Sequence, residues 1–194
     1  MTLPTEVLER FDEGIQAAVA AGEPEPTSMA LATVAADGKA SVRTVLLKDI
    51  DGDGMVFYTN THSIKGRQLA QHPQAALCVL WKSVFRQVLI EGVTHLVPNE
   101  EADAYFASRP RGSQIGAWAS LQSEALASRE LLEQRVAEFE RKFAGKTVPR
   151  PPHWSGYRLV PDMVEFWYGR EDRLHDRFRF TLTGGDWTRQ RLYP

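Results

Sequence analysis

The sequence predicts an α+β domain: a closed or partly closed antiparallel β-barrel with flanking helices. Three observations lead there. Short β-branched or aromatic runs alternate at period two between turn dipeptides, few segments carry apolar residues at helical spacing, and 194 residues that are 43% hydrophobic suit one domain with a sizeable core.

The elements follow in order. From Thr5 to Ala21, the residues Val7, Leu8, Phe11, Ile15, Ala18 and Val19 fall on one helical face, ended by Gly22 and the Pro24/Pro26 pair. Met29–Val34, Ala40–Leu47 and Met55–Thr59 read as consecutive antiparallel strands, split by Asp37-Gly38 and by Asp51-Gly52-Asp53-Gly54. A short helix from about Ser63 to Gln71 stops before Pro73, and the strands Ala75–Trp81 and Gln87–Leu96 follow, with Gly92 as a bulge in the second. Asn99 is expected to cap a helix through Ala107, with Glu100, Glu101 and Asp103 where the helix dipole favours acids. Ser128 caps a longer helix whose stripe Leu131, Leu132, Val136, Phe139 and Phe143 reads as core, ended by Gly145. After the extended connector Pro149-Arg150-Pro151-Pro152 come the strands Tyr157–Val160 and Met163–Tyr168. A hairpin with Phe178, Phe180 and Leu182 alternating before Gly184-Gly185 completes the chain. Residues 1–25 are thus an amino-terminal helix and connector, and 26–194 a single barrel domain.

Composition narrows the function. With 23 Lys+Arg against 25 Asp+Glu, the net charge of -2 excludes a basic nucleic-acid coat and an acidic disordered tail. Arginines number 17 and lysines 6, a mild pointer to two-pronged recognition of phosphate or carboxylate, or else a bias of composition. The single cysteine, Cys78, lies in an apolar run and reads as a buried small hydrophobe. No secretory leader and no apolar span of membrane length is visible, so the expected setting is cytoplasmic, with no membrane partner.

Several familiar motifs fail. Asp49-x-Asp51-x-Asp53-Gly54 opens like a calcium loop, but Asn60 stands where the bidentate Glu is needed, so a tight hairpin turn is expected. Gly145-Lys146-Thr147 lacks the earlier glycine of a phosphate loop and reads as a helix terminus. No glycine-rich dinucleotide turn follows a strand. The five histidines never fall at helical metal spacing, and no metal is expected.

Three clusters carry possible chemistry. In RTVLLK, alternation sets Arg43, Val45 and Leu47 on one face and Thr44, Leu46 and Lys48 on the other; Arg43 is either exposed on the barrel or buried beside an anion. The stretch YFASRPRGSQIGAWASLQS, Tyr105 to Ser123, gathers Arg109, Arg111, Ser113 and Gln122 on a backbone read as loop, either an oxyanion site or a polar surface. In EFWYGREDRLHDR, an extended tail would turn Arg173, His175 and Arg177 to one side beside Trp167, as a surface for a flat anionic ligand. A turn salt-bridged by Glu171, Asp172 and Asp176 is the competing reading.

In this order, the motifs RTVLLK, FYTN, SRPRGSQIGAWAS-x-QS, EFW and RLHDR resemble those of the pyridoxamine (pyridoxine) 5′-phosphate oxidase family, from about Pro26 to the carboxyl end. The resemblance implies an FMN-binding split β-barrel, Greek-key-like, that forms a homodimer with flavin at the subunit interface. It implies oxidation of pyridoxamine and pyridoxine 5′-phosphates to pyridoxal 5′-phosphate, with oxygen as acceptor and hydrogen peroxide as product. The FMN contacts it implies are Arg43, Thr44, Val45, Leu46, Leu47, Lys48, Tyr58, Thr59, Lys65, Gln87, Gln122, Ser123, Trp167 and Arg177. Lys48, Tyr105, Arg109 and Ser113 would surround the substrate phosphate, with Arg173 and His175 over the pyridine ring as the catalytic pair. The chain departs from the pattern at Ile64, where many members are basic and where Arg67 could compensate, and it shows no basic arm before Pro26. The competing functions are a phenazine-type oxidase or flavin reductase on the same scaffold, and a flavin- or B6-phosphate-binding protein without turnover. A nucleic-acid-binding barrel would want aromatics interleaved with basic residues and a net positive charge.

Overall fold

The computed structural model describes residues 2–194. In chain order its elements are α1 (Thr5–Ala20), β1 (Ser28–Val34), β2 (Ala40–Leu46), β3 (Asp49–Asp51), β4 (Gly54–Asn60), α2 (Ile64–Gln71), β5 (Gln74–Trp81) and β6 (Arg86–Leu96). They continue as α3 (Asn99–Ser108), α4 (Arg111–Ala119), α5 (Arg129–Lys142), β7 (Trp154–Tyr168), β8 (Asp176–Thr183) and β9 (Asp186–Leu192). The strands form one antiparallel sheet in the order β2-β1-β5-β6-β7-β4-β3, with β8 on β7 and β9 on β8. The sheet curls until the chain leaving β2 meets β4, where Lys48 N donates to Val56 O at 2.8 Å. The result is the α+β antiparallel split barrel the sequence predicts.

Alternation accounts for the core. Leu31, Phe57, Leu77, Ile90, Leu159 and Val164 point inward from five strands, and α1 covers one opening with Val7, Phe11 and Ala18. Phe11 meets Trp81 edge-on at 5.4 Å, and a Cβ on Gly14 would sit 2.3 Å from the same indole, so glycine sets how closely α1 approaches. A second cluster of Phe106, Ile115, Phe143, Val148 and Trp154 joins α3, α4 and the end of α5 to the start of β7.

Several expectations change. Asp49–Asp51 is a short strand paired with β4 through the expected tight turn. The two carboxyl-terminal strands are one, β7, because Pro161 sits at the bulge opposite Gly92, where a missing N–H costs the ladder nothing. Asn99 lies inside α3, whose cap is Pro98; the Asn99 side chain instead accepts from Arg150. Ser128 does cap α5, accepting from Leu131 N at 3.3 Å, but the stripe is core only at its far end, since Leu131 is exposed and Phe143 buried. Cys78 is half-buried on the outer face of β5, where burial pushes its thiol pKa up.

Candidate functional site

The first and second clusters converge on one cavity of about 430 Å³ between the end of β2, the end of β4, the start of α2 and the α3–α4 corner. Its walls include Thr44, Val45, Leu46 and Lys48 from the first motif, Tyr58 and Thr59 from β4, and Lys65. Tyr105, Arg109, Ser113 and Gln122 supply the other side, together with Pro110 and Trp154, which the sequence did not single out. Gln122 and Ser123 are tied to α2: Lys65 Nζ donates to Gln122 Oε1 at 3.0 Å, and Ile64 N donates to Ser123 Oγ at 3.2 Å. The stretch expected as loop contains α4, so Ser113 and Gln114 are helical; Gln114 Nε2 donates to Phe106 O, closing the corner that presents Arg109.

Two members of the first motif lie behind the wall. Leu47 is buried in the core, and Arg43 reaches inward to Leu31 O (3.1 Å), Thr33 Oγ1 (2.5 Å) and Gln68 Oε1 (3.3 Å). Both open readings of Arg43 therefore fail in part: it is neither solvent-facing nor paired with an acid, but satisfied by neutral oxygens. Arg67 does not replace the missing basic residue at position 64, because its guanidinium binds His62 O and faces Glu124 on the exposed side of α2.

The electrostatics favour an anion. Among the described residues, no Asp or Glu lines the cavity, whereas Lys48, Lys65 and Arg109 do. Burial pulls the Lys65 ammonium below its usual pKa and the nearby Arg43 charge adds to the pull; burial likewise lowers Arg109. Arg109 Nη1 is buried without a hydrogen-bond partner, while its guanidinium lies 4.8 Å from the Trp154 ring and 5.5 Å from the Phe106 ring. A cation–π contact is worth about 0.5–2 kcal/mol and an unmet buried donor costs about 1–3 kcal/mol, so the rings alone do not settle this side chain. An oxyanion at Nη1 would. Tyr58 stacks on Tyr105 at 3.9 Å and is pushed up to about 12 by burial and by Glu101, so its phenol stays neutral.

The third cluster lies elsewhere. Gln87, Trp167 and Arg177 are in register across β6, β7 and β8. Arg177 Nε donates to Glu165 Oε1 at 2.7 Å and Nη1 to Tyr193 O, while Glu165, 1% exposed, also receives Arg179. The tail is not extended as expected: Asp172 and Arg173 have φ of 54° and 60°, which makes a turn and leaves Arg173 exposed. His175 still sits 4.5 Å from the Trp167 ring, and its Nδ1 accepts from Arg170 N. Asp176, not Asp172, takes the salt bridges of that turn.

Fold and site together define an antiparallel split barrel with a cationic, aromatic-walled ligand cleft. Residues 15–143 match the family model described as pyridoxamine 5'-phosphate oxidase, and 154–194 match the pyridoxine 5'-phosphate oxidase C-terminal dimerisation region. A pyridoxine/pyridoxamine 5'-phosphate oxidase of Myxococcus xanthus is 55% identical over 192 residues, 99% of this chain and 93% of that protein. One from Rubrobacter xylanophilus is 52% identical over 96% of this chain and 86% of its own length. Among solved structures, PhzG from Burkholderia lata in complex with tetrahydrophenazine-1-carboxylic acid superposes with a TM-score of 0.92 at 34% identity, covering 98% of this chain and 94% of that one. The chain belongs to the pyridoxamine 5'-phosphate oxidase family.

Proposed function

We propose that this chain oxidises pyridoxamine and pyridoxine 5′-phosphates to pyridoxal 5′-phosphate, using FMN, with oxygen as the final acceptor and hydrogen peroxide as product. The observation that carries this reading is the acid-free cavity in which Lys48, Lys65 and a buried, unpartnered Arg109 Nη1 converge. Bound FMN supplies the two-electron acceptor for oxidation at the substrate's 4′ carbon. Lys65, with Thr59 and Gln122 on its ammonium, holds the flavin phosphate, and the Thr44–Lys48 strand edge flanks the cofactor. Arg109, Ser113, Lys48 and Tyr105 hold the substrate phosphate, so that binding far from the reacting carbon fixes orientation at it. Gln87, Trp167 and Arg177, with Arg173 and His175, act at the cleft of the other subunit of a homodimer. That arrangement is supported by the dimerisation-region match and by the separation of the two residue sets along β7. Among the described residues, no helix is long and apolar enough to cross a membrane.

The test is direct. Purified protein reconstituted with FMN should turn yellow, and pyridoxine 5′-phosphate in air should yield pyridoxal 5′-phosphate and peroxide in equal amounts. A protein that takes up no flavin, or a yellow one inert to both phosphates, overturns the reading. The likeness to PhzG supports a second reading, oxidation of a reduced phenazine carboxylate, and the same assay with that substrate separates the two.

A further inference from the structure

Resting on the reading of Arg109 as the phosphate contact, we propose that Trp154 is a positioning residue that holds the Arg109 guanidinium ready for the phosphate ester. Arg109 follows the last turn of α3 and precedes Pro110, and its backbone N–H donates to Phe106 O at 3.2 Å. Its side-chain placement rests on two rings, with the guanidinium carbon 4.8 Å from the Trp154 centroid and 5.5 Å from that of Phe106.

Trp154 is itself fixed from several sides. It is 6% exposed, stacks with Tyr58 at 5.2 Å and 11°, and meets Phe106 edge-on at 5.1 Å. Its backbone is tied down as well, N donating to Pro151 O and O accepting from Arg150 Nη1 at 2.8 Å. A closely packed indole thus lies against the guanidinium of Arg109 in the cavity wall. An arginine that stands free must lose its rotamer freedom when the phosphate arrives; one already laid on a rigid ring has lost much of it, and binding is tighter by that difference. The effect acts on substrate binding and not on the oxidation step, which separates it from a general role in folding.

The experiment is a double-mutant cycle on the FMN-loaded protein, combining Trp154→Leu and Trp154→Phe with Arg109→Lys. It reads the Kd for pyridoxal 5′-phosphate by titration, KM and kcat for pyridoxine 5′-phosphate, and flavin content. Trp154→Leu should raise Kd and KM about tenfold with kcat within about twofold and flavin retained, as expected for lost preorganisation. Trp154→Phe, which restores a ring face, should recover most of the loss. In the Arg109→Lys background Trp154→Leu should add little, since residues acting through one another are not additive. Equal cost in both backgrounds, no recovery by Phe, or a fall in kcat at constant KM overturns the proposal. If the Leu variant does not fold, Trp154→Met, which keeps bulk without a ring, takes its place. A wild-type protein that binds pyridoxal as well as pyridoxal 5′-phosphate overturns the reading of Arg109, and the proposal with it, before any variant is made.

Discussion

Lys65 shows how a single side chain links stability to ligand binding. Its ammonium is held by Thr59 Oγ1 at 3.1 Å and Gln122 Oε1 at 3.0 Å, both neutral, while burial and then the Arg43 charge lower its pKa. The folded-state value therefore lies below the ordinary 10.5. Folding carries a cost for this cation that is full below the folded value and relieved as pH rises from there toward 10.5. On the proposed reading, a flavin phosphate beside the ammonium would reverse the shift, so FMN binding would take up a proton once the pH reaches the ligand-free pKa. FMN affinity should accordingly decline on the alkaline side, and Lys65→Met should lower it at least about tenfold at neutral pH while flattening that decline, since one decade corresponds to about 1.4 kcal/mol of lost charge interaction. Fluorescence titrations of FMN across the alkaline range measure both. An unchanged slope in the Met variant would show that another group titrates.

At the scale of elements, the first turn of α2 places that lysine. Ser63 is fully buried; its Oγ accepts from Gly66 N at 3.3 Å and donates to Asn60 O at 2.7 Å, joining the end of β4 to the helix. Ser63→Ala should cost about 1 kcal/mol through the lost cap, since the Ser63 backbone N–H still donates to the Asn60 carbonyl. Denaturant unfolding should show the loss, with weaker FMN binding beside it; stability lost with binding untouched would mean that Lys65 does not depend on this turn. Much of this was legible: the alternation of β2 sorted Arg43 with Val45 and Leu47, and Ser63 and Ser128 fall where helices begin. The helix α4 was not, because Gly112, Ser113 and Gly116 have weak helical preference and the segment is held by tertiary bonds. Arg111 donates to Phe143 O and Lys146 O, and Trp118 Nε1 to Pro149 O. The left-handed backbone at Arg173 has no sequence signal, since arginine does not favour it. Trp154 was not singled out, because nothing in a lone aromatic before the expected strand says that an arginine will lie on it.

For the whole molecule, the decisive fact is that β7 is a single strand of 15 residues. Its first half pairs with β4 beside the cationic cavity, and its second half carries Trp167 and pairs with β8, which carries Arg177. From Trp154 to Trp167 the strand runs about 40 Å at roughly 3.3 Å per residue, too far for one ligand to touch both ends. The outer face of β2, β1 and β5 is apolar, with Val42 67% and Leu80 55% exposed and Ala32, Ala76 and Cys78 on the same side. In the homodimer proposed above, a second copy across that face would bring the far end of one β7 to the cavity of the other. Two variants should then repair each other when assayed at an FMN concentration low enough that each alone is inactive. Lys65→Met damages the cavity, and Arg177→Gln damages the distant set while Glu165 keeps Arg179. Mixed and re-equilibrated in equal amounts, they should regain about a quarter of wild-type activity, because half the dimers are mixed and each has one intact site of two. Sites built within one chain would regain nothing, and an affinity tag on one variant that co-purifies the untagged other confirms that dimers have exchanged.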